Sequence, residues 1–176
     1  MGRPLTEPRL SHEVETAELM VELGRRLAGL LRPGDLVLLS GDLGAGKTTL
    51  TRGLGEGLGV RGAVTSPTFV IARVHPSLAG GPPLVHVDAY RLGGGLEEME
   101  DLDLDVALPE SVVVVEWGED RVEELAEDRL HVVIHRAATE AEGGPDGRDP
   151  RVVELRGVGA RWHGVDLGAA LGAALG

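Results

Sequence analysis

The sequence predicts an α/β protein, three layers deep, built on a largely parallel central sheet. Two observations carry this. The runs LVLLS (36–40), LVHVD (84–88) and VVVVE (112–116) are continuous apolar stretches of strand length, as strands buried on both faces require. Between them lie glycine-punctuated or charged stretches with helical spacing, and interleaved strands and helices around one sheet give that layering. The 176 residues fit a single domain, with a core over about 10–157 and a tail, 158–176, to which no role attaches.

The elements follow in order. Residues 12–31, HEVETAELMVELGRRLAGLL, place Val14, Ala17, Met20, Val21, Leu27 and Leu31 at helical spacing, which predicts a helix capped by Ser11. Arg32-Pro33-Gly34-Asp35 breaks it before the LVLLS strand. TLTRGLGEGL (49–58) reads as a helix weakened by Gly53, Gly55 and Gly57. TFVIARV (68–74) predicts a strand, SLAGGPP a loop, and LVHVD the next strand. GLEEMEDLDLDVAL is acidic and helical in pattern, and VVVVE is the most strand-like run of the chain. RLHVVIHRA and PRVVELRGV predict two strands joined by the polar loop TEAEGGPDGRD, and WHGVDLGAALGAALG an amphipathic helical tail.

Composition narrows the function. The chain has four aromatic residues, Phe69, Tyr90, Trp117 and Trp162, so an aliphatic core is expected. It has no cysteine, which removes disulfides and thiolate metal sites. No stretch reaches the about 20 apolar residues of a membrane span, and the start carries no signal-peptide pattern. A formal charge of −12 argues against direct binding to nucleic acid, which wants a basic face. The expectation is a soluble cytoplasmic protein, with no membrane partner, in which any phosphate site is built locally.

One such site is written in the chain. Gly41-Asp42-Leu43-Gly44-Ala45-Gly46-Lys47-Thr48 fits G-x-x-x-x-G-K-[ST] between a buried strand and a helix. Glycines let successive N–H groups turn toward phosphate oxygens, and the following helix adds its free N–H groups and positive dipole end. Lys47 is the chain's lone lysine among sixteen arginines. A compact ammonium on a flexible stem follows phosphates as a point charge, which arginine's planar fork does not. The Thr48 hydroxyl is a ligand for Mg²⁺. The arrangement is a P-loop, and it predicts a nucleoside triphosphate site in a P-loop NTPase fold.

Such a site needs a further acid near the metal, and two strands end in one, at Asp88 and Glu116. Both lie at the edge where open α/β sheets bind ligands. Asp42 lies within the loop, where a negative charge must point away from phosphate. The six histidines are dispersed, and His86 reads as packing beside its strand. Trp117, next to Glu116, either covers the nucleotide, docks a partner or is structural. The acidic run 97–105 is a solvated face or a docking face.

Four stretches, GDLGAGKTTLTRGLGEGLG, TSPTFVIARV, HVDAYRL and VVEWGE, together resemble the TsaE (YjeE) family, bacterial P-loop ATPases of threonylcarbamoyladenosine tRNA modification. The resemblance implies ATP and Mg²⁺ as cofactors. It implies phosphate binding by Gly44, Ala45, Gly46, Lys47, Thr48 and Thr49, metal coordination by Thr48 and Glu116, and a Walker-B-like role in hydrolysis for Asp88. Lys47, Asp88 and Glu116 would carry catalysis. Ser66-Pro67-Thr68 matches a switch-like loop, with Thr68 as the sensor of the γ-phosphate. Arg148 falls where the family has an arginine near the nucleotide, and the segment Glu13–Thr16, with Thr16 as its contact, where the base is approached. The flanks Val85, Val87 and Ala89, with His75, depart from the family's aromatic packing. The partners implied are TsaD and TsaB, with tRNA reached only through them. A small-molecule P-loop kinase and a non-catalytic nucleotide-gated module are the rival readings. The scattered arginines form no kinase-type lid, and no N-K-x-D stretch supports a GTPase.

Overall fold

The computed structural model describes residues 8–41, 46–60, 72–78, 80–88, 110–116, 128–136 and 151–168. The elements are β1 (Arg9–Val14), α1 (Ala17–Ala28), β2 (Leu36–Gly41), α2 (Lys47–Leu58), β3 (Ala72–His75), β4 (Leu84–Asp88), β5 (Val112–Glu116), β6 (Arg129–Arg136) and β7 (Arg151–Val158), followed by a 3₁₀ turn at Ala160–Trp162. The strands form one sheet in the order β1-β7-β6-β2-β5-β4-β3.

The predicted α/β architecture holds, and its sheet is mixed. The continuous apolar runs make the parallel centre: β2 pairs in parallel with β5 and β6, and β4 with β5. The outer strands β3, β7 and β1 add antiparallel. All five residues of β5, and Leu36 to Ser40 of β2, are buried, so the central strands are covered on both faces. β7 alternates buried and exposed residues in its second half, the pattern of a strand with one wet face.

The predicted helix over 12–31 is two elements. Residues 9–14, RLSHEV, form β1, paired along its whole length with β7. Leu10, His12 and Val14 alternate with the exposed Arg9, Ser11 and Glu13, and this period of two matches the strand ladder better than a helical face. Ser11 is therefore a strand residue, not a cap. Thr16 caps α1 instead: its backbone is extended, and its Oγ1 accepts from the Leu19 N–H at 3.2 Å. The strand expected over 68–74 is seen as β3 at 72–75, its first half lying outside the described residues. So do the acidic segment 95–108 and the loop 139–149. In the tail, Trp162 belongs to the 3₁₀ turn and helical residues appear at 167–168.

The glycines of α2 have a packing reason that propensity alone misses. α1 and α2 lie against each other with their backbones in contact. A Cβ built on Gly53 would overlap the Val21 carbonyl, and one on Gly24 would overlap the Leu50 carbonyl. The cost in helix propensity is thus offset by closer packing over one core of Met20, Leu23, Leu27, Leu50 and Leu54 with the inner residues of the sheet.

The core is not purely aliphatic. Trp162 is completely buried and is the largest side chain so placed among the described residues. It sits against Gly157, where a Cβ would meet the indole Cβ at 2.5 Å. Beside it, Arg161 lies 4.4 Å from the centre of the indole ring. Its guanidinium donates to both Asp35 oxygens at 3.0 and 3.1 Å and to the Leu30 carbonyl at 2.6 Å. Asp35 also accepts from the Arg32 N–H at 2.8 Å. This clamp ties the end of the chain to the turn that feeds β2.

Candidate functional site

The site forms where β2 passes to α2. β2 ends at Gly41, residues 42–45 lie outside the described residues, and Gly46 precedes the helix with φ of 117°. That is the left-handed region, which glycine enters without strain. Among the described residues no side chain caps this helix, and its first turn has no acidic residue, an arrangement that leaves N–H groups for an anion. The Met20 methyl lies 3.3 Å from where a Cβ on Gly46 would stand, which brings the Thr16 end of α1 close to the loop. The Thr16 hydroxyl is engaged in capping α1.

Lys47 opens the helix, and its Nζ donates to the Gly41 carbonyl at 2.9 Å, across the mouth of the loop. Thr48 follows, its Oγ1 donating to Glu116 Oε1 at 3.5 Å, a long contact for a hydroxyl. Thr49, half-buried, completes the start of the turn. Thr51 turns back into its own helix, donating to the Lys47 carbonyl at 2.8 Å.

Glu116 ends β5, opposite Leu39 of β2 and Asp88 of β4, and is only 7 % exposed. Parallel pairing therefore puts the ends of both acid-terminated strands side by side at the edge that the P-loop leaves. The Asp88 side chain lies outside the described residues, as do Gly44, Ala45, Thr68, Arg148 and Trp117. Of the expected site, Gly46, Lys47, Thr48, Thr49 and Glu116 are brought together.

One neighbour was missed from the sequence. His86 does pack in its strand, fully buried, but its Nε2 lies 3.4 Å from Glu116 Oε1. The available signal was its place two residues before Asp88, hence on the same face of β4. A separate cavity of about 470 Å³, lined among others by Arg9, Ser11, His131, Glu154 and Arg156, belongs to the outer strands and contains none of these residues.

The donors suit hard ligands. The Thr48 hydroxyl and the Glu116 carboxylate are the oxygen ligands Mg²⁺ takes when phosphate supplies others, and Lys47 is an ammonium beside the helix terminus. A family model, threonylcarbamoyl adenosine biosynthesis protein TsaE, matches residues 14–143, a span that holds Lys47, Thr48, His86, Asp88 and Glu116. The chain belongs to the TsaE family.

The relatives agree. A tRNA threonylcarbamoyladenosine biosynthesis protein TsaE of Streptomyces coelicolor is 70% identical over 153 residues, 87% of this chain and 100% of its own. The TsaE protein of Bacillus subtilis is 40% identical over 142 residues, 80% and 81% of the two chains. The crystal structure of Bacillus subtilis YdiB superposes with a TM-score of 0.67 at 33% identity, covering 89% of this chain and 90% of that one. The family model ends before Arg148 and the Arg161–Asp35 clamp. Among the described residues, no helix is long and apolar enough to cross a membrane.

Proposed function

We propose that this TsaE-family chain binds ATP with Mg²⁺ and hydrolyses it slowly in the cytoplasm. In this reading it supports a TsaD–TsaB complex that threonylcarbamoylates the tRNA adenosine next to the anticodon. The observation that carries the reading is the meeting of the Thr48 hydroxyl and the buried Glu116 carboxylate, 3.5 Å apart at the head of the lysine-bearing helix.

Each residue then has a task. The free N–H groups at the start of α2 and the Lys47 ammonium hold the phosphates and offset their charge. Thr48 and Glu116 hold Mg²⁺, which supplies charge stabilisation on the phosphate oxygens. Asp88, at the neighbouring strand end, organises the attacking water. Gly44 and Ala45 continue the phosphate cradle, Thr68 senses the γ-phosphate, and Thr16 and Arg148 approach the nucleotide from outside the loop. Positioning and charge are most of what phosphoryl transfer asks of a protein, and a P-loop site completed only by partners turns over slowly alone. A charge of −12 fits a protein that leaves tRNA to those partners.

The test is ATP hydrolysis by the purified protein, alone and with bacterial TsaD and TsaB. Slow turnover that rises with the partners and vanishes in Lys47→Ala is the expected result. Indifference to the partners, with phosphate transferred to an added metabolite, would replace this reading with a kinase.

A further inference from the structure

His86 stands out among the buried polar groups. It is completely buried, and neither ring nitrogen has a hydrogen-bond partner among the described residues. Buried polar groups are normally bonded, so an unpaired one needs a reason. Its surroundings supply little else: Leu84 on the same face of β4 and its register partner Val114 are apolar and completely buried. Among the described residues, the charged group within reach is Glu116, whose Oε1 lies 3.4 Å from Nε2. The same oxygen is approached at 3.5 Å by the Thr48 hydroxyl.

We infer that His86 is a positioning residue for Glu116, its Nε2–H holding the carboxylate from inside the sheet so that the acid faces the metal beside Thr48. This rests on the Mg²⁺–nucleotide reading above. The reasoning is geometric. A carboxylate at a strand end has rotational freedom about its own side chain, and the 3.5 Å contact from the Thr48 hydroxyl alone does not fix it. A ligating carboxylate is ordinarily held by a further hydrogen bond, and losing that support costs about 10–100-fold in metal affinity. The imidazole can supply the bond because it is completely buried and lies two register positions from Glu116, on the same face. A merely structural histidine would have no preference between the nucleotide and its magnesium complex.

The experiment compares wild type, His86→Leu and His86→Gln, the first variant removing the donor at similar volume and the second restoring an N–H. A fluorescent ATP analogue is titrated in EDTA, and the nucleotide-bound protein is then titrated with Mg²⁺. The expected result is an Mg²⁺ midpoint raised about tenfold or more in His86→Leu, unchanged affinity in EDTA, and a midpoint largely restored in His86→Gln. An equal midpoint in His86→Leu, or equal losses with and without Mg²⁺, would overturn the proposal. Imidazole ¹⁵N spectra of the wild-type protein give a second reading that does not depend on the leucine variant folding. The His86 Nε2 signal, assigned by its loss in His86→Gln, should shift when Mg²⁺ is added to the nucleotide complex, and an unmoved signal would overturn the inference. A wild-type protein that binds nucleotide without any effect of Mg²⁺ would instead remove the metal reading itself, and this inference with it.

Discussion

The two ends of β2 are built on opposite principles. At its amino end, Asp35 accepts from Arg161 at 3.0 and 3.1 Å and from the Arg32 N–H at 2.8 Å, and the same guanidinium closes on the Leu30 carbonyl at 2.6 Å. Beside its carboxyl end, on β5, Glu116 Oε1 is met among the described residues at 3.4 and 3.5 Å, by an imidazole and a hydroxyl. Both acids are buried, yet one is saturated with good hydrogen bonds and the other is not. Taking one partner from a satisfied buried pair leaves an uncompensated charge and is costly. A buried acid with only long contacts among the described residues has less of this kind to lose.

The sharpest way to break this contrast is to delete one group at each end. Arg161→Ala leaves Asp35 buried without its guanidinium, keeping only the Arg32 N–H among the contacts described, and should cost about 3 kcal/mol, roughly 10 °C in melting temperature. Nucleotide affinity should survive in the fraction that stays folded. Glu116→Gln should do the reverse, leaving stability within about 1 kcal/mol of wild type or above it, as read from urea unfolding. If Glu116→Gln proved as destabilising as Arg161→Ala, the carboxyl end would be scaffold as well.

A smaller effect is expected where the helices touch. Gly53→Ala gains about 1 kcal/mol of helix propensity but forces a methyl group onto the Val21 carbonyl, and overpacking of this kind costs about 1–3 kcal/mol. A net loss in the urea midpoint is the outcome; a gain would mean that α1 gives way easily.

The smallest effect belongs to Glu22 on the exposed face of α1. Hydrogen bonds from Arg25 and Arg26 hold its carboxyl below the usual glutamate value. A depressed carboxyl contributes above its unfolded pKa and loses that contribution as pH falls through the folded one. Glu22→Gln should therefore move the thermal midpoint barely at neutral pH, and the gap should close below about pH 4. A gap that persists in acid would assign the effect to something other than charge.

How much of this was legible in the sequence differs between the same two ends. The P-loop, its helix and both acid-terminated strands are local patterns, readable because a few adjacent residues carry the whole signal. That Thr48 and Glu116 meet, 68 residues apart, came from the family resemblance, and parallel pairing gives the reason. The clamp was invisible. Arg161 and Asp35 are 126 residues apart, and neither belongs to a motif. β1 was misread because only Glu15 and Thr16 separate it from α1, so that Val14 falls on the helical stripe as well as on the strand's inner face. The glycines of α2 were counted as a weakness because propensity is a property of one helix, and the contact that uses them needs two. His86 was passed over because its spacing of two from Asp88 becomes informative only once the end of β4 is set beside Glu116.

The pairing of the first strand with the last has a consequence for how the chain comes to be folded. β1, at residues 9–14, finds its ladder only in β7, at residues 151–158. Such pairing closes a loop of nearly the whole chain, the slowest kind of contact to form. On the ribosome β1 emerges long before β7 and waits, edge open, for residues 151–158 to be made. The half built on β2, β4 and β5 can assemble before then. Nascent chains halted short of Arg151 would thus carry the β2–α2 unit while lacking the strand that β1 pairs with.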